Sequence, residues 1–109
     1  MAKRQISGGN FQDSLGNPLN GGSVTFRLST DAVAVGTQVA AAILTTAVLD
    51  ASGNISGTVS IWPNDQLTPV DTVYRIVAYT AHGPAVWKSE NVIPSGIGAF
   101  DIGTLTPLY

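Results

Sequence analysis

Apolar and polar residues alternate in short runs along the chain. In SVTFRLS, Val24, Phe26 and Leu28 fall on one face, and Ser23, Thr25, Arg27 and Ser29 on the other. Ile55, Val59 and Ile61 likewise oppose Ser56, Thr58 and Ser60. A period of two is the side-chain repeat of a β-strand, so each run predicts a strand with one buried face. Clusters of turn formers separate the runs: DSLGNPLNGG at 13–22, DASGN at 50–54, PNDQLTP at 63–69, AHGP at 81–84 and PSGIG at 94–98. Turn-to-turn intervals of roughly 8–12 residues predict an all-β sandwich or barrel. Strands are expected near residues 4–12, 22–29, 38–49 (with an interruption), 54–62, 72–80, 84–92 and 98–105, with DASGN and AHG closing hairpins. The alanines of TQVAAAILTTAVL favour helix by propensity. Its β-branched Val39, Ile43, Thr45, Thr46 and Val48 favour extended structure, which is the expectation here. TVYRIVAY is apolar on both faces, with Tyr74, Ile76 and Ala78 on one and Val73, Val77 and Tyr79 on the other. That pattern marks a central strand, or one whose outer face a partner covers.

At 109 residues the chain is expected to be one domain, or one module of a larger assembly, with a single core. Only 11% of its residues are charged, against ~25% in ordinary soluble domains. The polar surface therefore comes mainly from Ser, Thr, Asn and Gln. Such a surface repels its neighbours weakly, which suits either a subunit packed among others or a β domain with a neutral exterior. With a net charge of −2 and Lys3–Arg4 as the only adjacent basic pair, nucleic-acid binding is not expected. No cysteine is present, so disulfides and thiolate metal sites are excluded; this fits folding in a reducing cytoplasm. The opening MAKRQISGG lacks the apolar segment of a secretory signal. The longest apolar region, 33–49, falls short of the ~20 continuous residues a bilayer crossing needs, and no membrane span is expected.

Two resemblances follow from particular residues. ISGGNFQDSLGNPLNGGSVTFRL resembles the opening of a transthyretin-like, or carboxypeptidase-regulatory-like, β-sandwich, through Asp13, Gly16, Pro18, Leu19, Gly22 and Val24. The hairpin at Asp50 and Gly53 and the strand led by Tyr74 extend the likeness over about two thirds of the chain. It implies a single transthyretin/Ig-like sandwich of approximately seven strands. The flanks 1–8 and 94–109, punctuated by Gly and Pro, are expected to be flexible docking arms that order on contact. Separately, IWPNDQLTPVDTVYRIVAYTAHGPAVW and the closing GAFDIGTLTPLY are similar to segments of tailed-bacteriophage virion proteins. Trp62, Pro63, Asn64, Asp65, Tyr74, Gly83, Trp87 and Leu105 to Pro107 carry that likeness. It implies a non-enzymatic structural protein of the virion, a tail, fibre or capsid-decoration component assembled in the host bacterial cytoplasm. Its partners would be other virion proteins, and it would form a homo-oligomer or bind within a lattice.

Candidate chemistry is sparse. The single histidine, His82, sits in the turn signal TAHGP, and no nucleophile elbow or phosphate-cradling loop is present. No catalytic residue is assigned. Asp13, Asp50, Asp65, Asp71 and Asp101 lack the spacing of a calcium loop, and aspartates at turns hydrogen-bond their own backbone. No metal or cofactor is expected. The candidate partner-binding residues are Trp62, Pro63, Asn64, Asp65, Gln66 and Leu67. Pro63 and Pro69 stiffen this loop by restricting φ and removing donors. Strict alternation puts Trp62 on the outer face, where it would anchor a protein interface or stack on a sugar. A bulge would instead bury it at the sandwich edge. The alternative function is therefore a glycan- or receptor-binding module using Trp62, Asn64, Asp65 and Gln66.

Overall fold

The inner face of the larger sheet is written in the alternation of β2 (Ser23–Leu28), which buries Val24, Phe26 and Leu28. A computed structural model describes residues 3–13, 15–34, 36–41, 44–68 and 71–105 of the chain. The other strands are β1 (Arg4–Ser7), β3 (Ala32–Ala34), β4 (Thr37–Val39), β5 (Thr45–Leu49), β6 (Ile55–Ser56), β7 (Val59–Ile61), β8 (Tyr74–Tyr79), β9 (Ala85–Asn91) and β10 (Phe100–Asp101). The protein is all-β: among the described residues there is no α-helix, only 3-10 turns at Asn64–Gln66 and Ile102–Thr104. A five-stranded sheet runs β6-β5-β2-β8-β9, a three-stranded sheet runs β10-β1-β7, and β3 and β4 form a separate hairpin. Val24, Phe26, Ala47, Leu49, Tyr74, Ile76 and Ala78 from the large sheet share one apolar cluster with Ile6 and Ile61 from the small one. The arrangement is sandwich-like, and Leu67, Ile93 and Ile102, from outside the strands, join the same cluster.

Among the described residues, ten strands in three sheets stand where approximately seven are expected. The expected strand at 54–62 is two strands in different sheets. The chain leaves β6 at Ser56 and enters β7 at Val59, and Gly57, at φ +77°, makes the crossing. The expected strand at 4–12 stops at Ser7, because Gly8, Gly9 and Asn10 all take positive φ. The run at 38–49 is interrupted, with β4 ending at Val39 and β5 starting at Thr45; Ile43 lies outside the described residues. The hairpin of β3 and β4 was not anticipated.

Within the expected terminal arms, Arg4–Ser7 and Phe100–Asp101 are strands of the small sheet. β1 is the middle strand of its sheet, antiparallel to β7 and parallel to β10, with Ile6 opposite Phe100. Ile6 and Ile102 are fully buried. Asp101 Oδ1 accepts from Gly9 N and from Gly103 N, which caps the 102–104 turn and fastens it to the N-terminal segment. Polar, glycine-rich composition made both ends read as loose, but two isoleucines supply enough apolar surface to dock them. Residues 1–2 and 106–109, including Pro107 of the closing motif, lie outside the described residues.

One turn design occurs twice, in Asp-x-x-Gly-Asn at 13–17 and 50–54. Asp13 Oδ1 accepts from Leu15 N and Asn17 N at 2.9 and 3.0 Å. Asp50 Oδ1 accepts from Ser52 N and Asn54 N at 2.8 and 3.1 Å. The backbone N–H of Asn17, foremost among its partners, holds the Asp13 carboxyl below its ordinary range. The second turn also receives the chain after β1: Phe11 N donates to Gly53 O and Asn10 N to Asn54 Oδ1. A Cβ on Gly53, at φ +78°, would stand 2.2 Å from the Phe11 carbonyl oxygen, whereas one on Gly57 would meet nothing within 4 Å.

That pair separates backbone strain from close approach. Gly57→Ala should cost about 1 kcal/mol, the price of a left-handed L-residue. Gly53→Ala should cost at least about 3 kcal/mol, because backbone must also move. Urea denaturation of both variants checks this, and equal losses would mean that the docking of Phe11 on the 50–54 turn contributes nothing.

Candidate functional site

The candidate loop follows β7, and its described residues are 62–68 and 71–73 before β8. Its first turn places Asn64 fully inside the protein. Asn64 N donates to Ile93 O at 2.9 Å, and Asn64 Oδ1 accepts from Ile93 N at 2.7 Å. Asn64 Nδ2 donates to Thr72 Oγ1 at 2.9 Å, and Thr72 is buried as well. One asparagine thus holds together the start of the loop, its end and the strand-like stretch after β9. Further along, Thr68 and Val33 exchange two backbone bonds, fixing the loop to the β3–β4 hairpin. Leu67 is buried and Gln66 half-buried, with Gln66 Oε1 enclosed and without a hydrogen-bond partner.

Asp65 points outward and organises the neighbouring loop. Its Oδ2 accepts from Ser95 Oγ at 2.7 Å and Ser95 N at 3.3 Å. Arg4 holds the same loop from the other side, donating from Nη1 to Pro94 O at 2.9 Å and from Nε to Gly98 O at 3.4 Å. Its guanidinium lies 5.0 Å from the Phe100 ring centroid. Between these fastenings Ile97 is fully exposed. Leu15, 84% exposed, occupies the same kind of position on the 13–17 turn, its own N–H bound by Asp13.

Trp62 is half-buried and packs against the core. Its carbonyl accepts from Tyr74 Oη at 2.8 Å, and the Lys3 ammonium lies 5.9 Å from its ring centroid. Burial pushes the Tyr74 hydroxyl from its ordinary 10.0 up to about 12. The pocket beside Trp62, lined also by Phe26 and Thr45, holds about 100 Å³, below the range of small-molecule sites. A larger groove of about 400 Å³ lies elsewhere, along Asn10, Phe11, Gln12, Trp87 and Leu105. Phe11 and Trp87 meet there edge to face, with centroids 4.9 Å apart.

The six residues expected to face a partner therefore divide. Pro63, Asn64 and Leu67 are inside the protein, Trp62 and Gln66 are half-buried, and Asp65 alone is exposed. Asn64 looked like a surface amide because a proline-flanked polar loop ordinarily lies in water; here its amide replaces missing backbone partners. Pro69 lies outside the described residues. Trp87 is half-buried on the groove wall. His82 sits exposed in the turn between β8 and β9. Leu15 and Ile97 are not among the residues that the sequence pattern singles out. Their signal was an aliphatic residue within a turn cluster, Ile97 between Gly96 and Gly98 and Leu15 just before Gly16. No protein-family model, curated protein or solved structure matches the chain.

Asn64→Ala should cost about 2–4 kcal/mol in thermal or chemical denaturation, since it strands buried backbone and hydroxyl groups. Asp65→Ala, whose partners can turn to water, should cost under about 1 kcal/mol. Similar losses for the two would refute the clamp.

The raised Tyr74 pKa makes its contribution complete below pH 10.0, and that contribution is lost as pH rises toward about 12. Tyr74→Phe should be about 1 kcal/mol less stable at neutral pH. Its deficit should shrink between pH 10.0 and about 12, as followed by denaturation across that window. A constant deficit would show that the buried hydroxyl does not titrate this way.

Proposed function

We propose that this protein is a non-enzymatic structural component of a tailed-bacteriophage virion, acting by protein–protein assembly as a transthyretin-like β-sandwich module. The observation that carries the assembly reading is the pair of exposed aliphatic tips, Leu15 and Ile97, each on a turn fixed by side chain-to-backbone hydrogen bonds. An apolar side chain held in place before contact loses little entropy on docking, which is the requirement for an interface anchor. Low surface charge supports the same reading, because it lets copies and partners approach closely. The virion assignment itself rests on the sequence likeness through Trp62, Pro63, Tyr74, Gly83 and Trp87. The transthyretin-like assignment is supported by the paired Asp-x-x-Gly turns at Asp13 and Asp50 flanking β2 and β5.

A second reading, glycan binding, is favoured by the groove at Trp87 rather than by the loop at Trp62. An aromatic wall beside the exposed amides of Asn10 and Gln12 offers the stacking and hydrogen bonding that sugars use.

Quantitative mass spectrometry of purified particles of the encoding phage should find the chain at a fixed copy number. Leu15→Ser and Ile97→Ser should change stability by under about 0.5 kcal/mol. Occupancy on the particles should fall about tenfold or more. Absence of the chain from particles sinks the virion reading. Undiminished occupancy of both variants sinks the role of the tips. Glycan-array binding that survives in those variants but fails in Trp87→Ala would favour the second reading.

A further inference from the structure

The longest strand among the described residues lies at an edge of the large sheet. β9 spans seven residues and pairs only with β8 among the described residues. The opposite edge of the same sheet, β6, has two residues. In the small sheet β10 has two and β7 three. Long unprotected edges are what single-domain proteins avoid, since unpaired N–H and C=O groups there await another strand.

The direction of those groups follows from the hydrogen-bond phase. Ser29 N donates to Val73 O, and Leu49 N donates to Gly22 O. Antiparallel alternation then turns the backbone of Arg75 and Val77 toward β2, and that of Tyr74 and Ile76 toward β9. Glu90 and Lys88 stand opposite Arg75 and Val77, so their N–H and C=O groups point out of the sheet edge. Both side chains are exposed. They are the only glutamate of the chain and one of its two lysines.

We infer that β9 pairs with β9 of a second copy, antiparallel about a two-fold axis at Ser89, joining the five-stranded sheets of two protomers. This register sets Lys88 opposite Glu90 of the second copy, and Glu90 opposite its Lys88. Both pairs fall at positions where the outward backbone groups bond. Moving the axis by one residue sets Lys88 against Lys88, or Glu90 against Glu90, so charge selects one register. Glu90 already lies 3.9 Å from Arg75, and pairing completes a row of alternating charge, Arg75, Glu90 and the second copy's lysine. Val86 and Val92, 52% and 51% exposed, flank this regular stretch with apolar surface. The β8–β9 bulge near Ala78 and Tyr79 leaves the stretch from Trp87 to Asn91 regular. The pairing is independent of where the protein acts and does not require the virion reading.

Sedimentation of the intact chain over a concentration series should show a monomer–dimer equilibrium. Lys88→Glu and Glu90→Lys should each weaken dimerisation about tenfold or more, because each sets like charges opposite twice. An equimolar mixture of the two variants should recover a dimer, as a heterodimer in which every cross-pair is again opposite in sign. Circular dichroism checks that each variant is folded, and recovery in the mixture excludes misfolding as the cause of dissociation. A wild-type chain that stays monomeric throughout, a dimer indifferent to both reversals, or a mixture that stays monomeric would overturn the inference.

Discussion

The buried amide of Asn64 is the interaction on which the rest of this molecule depends. Between β7 and β8 the described residues, 62–68 and 71–73, belong to no named strand, so their buried backbone groups need other partners. A buried N–H or C=O without a partner costs about as much as a lost hydrogen bond or more. Asn64 meets that demand from one position, using its own N–H, its side-chain oxygen and its side-chain nitrogen. Through Ile93 it fixes the stretch leaving β9, and through Thr72 the entry to β8. Asp65, one residue on, then reaches the exposed loop around Ser95. Inner packing and outer presentation are thus joined by two adjacent side chains.

Elsewhere the fold relies on local devices. The two Asp-x-x-Gly-Asn turns each close on themselves through a carboxylate, and the second also binds Asn10 and Phe11. They stay ordered in water because the carboxylate replaces missing backbone partners within five residues. This explains how a chain with few charges and many glycines keeps its loops fixed. It also explains why Leu15 and Ile97 can stand in solvent without collapsing onto the surface: their backbones are already held.

The exterior is organised by the same economy of charge. Most of the outer face of the large sheet is Ser, Thr and Val, and Lys88 and Glu90 lie together on its open edge with Arg27 and Arg75 nearby. A surface so poor in charge gives each charged residue unusual influence over which contacts are favourable. Aliphatic tips supply apolar area, and the few charges supply register. These are the two components of a specific interface.

Sequence alone determined what depends on period and on local turn chemistry. The alternation in β2, the hairpins at Asp50 and after Tyr79, the interrupted run at 38–49 and the all-β class were legible because each signal lies within a few neighbouring residues. The candidate site was legible as a stiff, structured loop but not in the direction of its side chains. Nothing local to Asn64 distinguishes a surface amide from a buried clamp, since its partners are Thr72, eight residues on, and Ile93, twenty-nine residues on. Only the tertiary structure decided that, together with the division of 54–62 between two sheets and the docking of Ile6 beside Phe100. Each of these is a contact between segments distant in sequence. Burial is a property of what the rest of the chain brings alongside, and a pattern of period two says which face a residue takes, not what covers it.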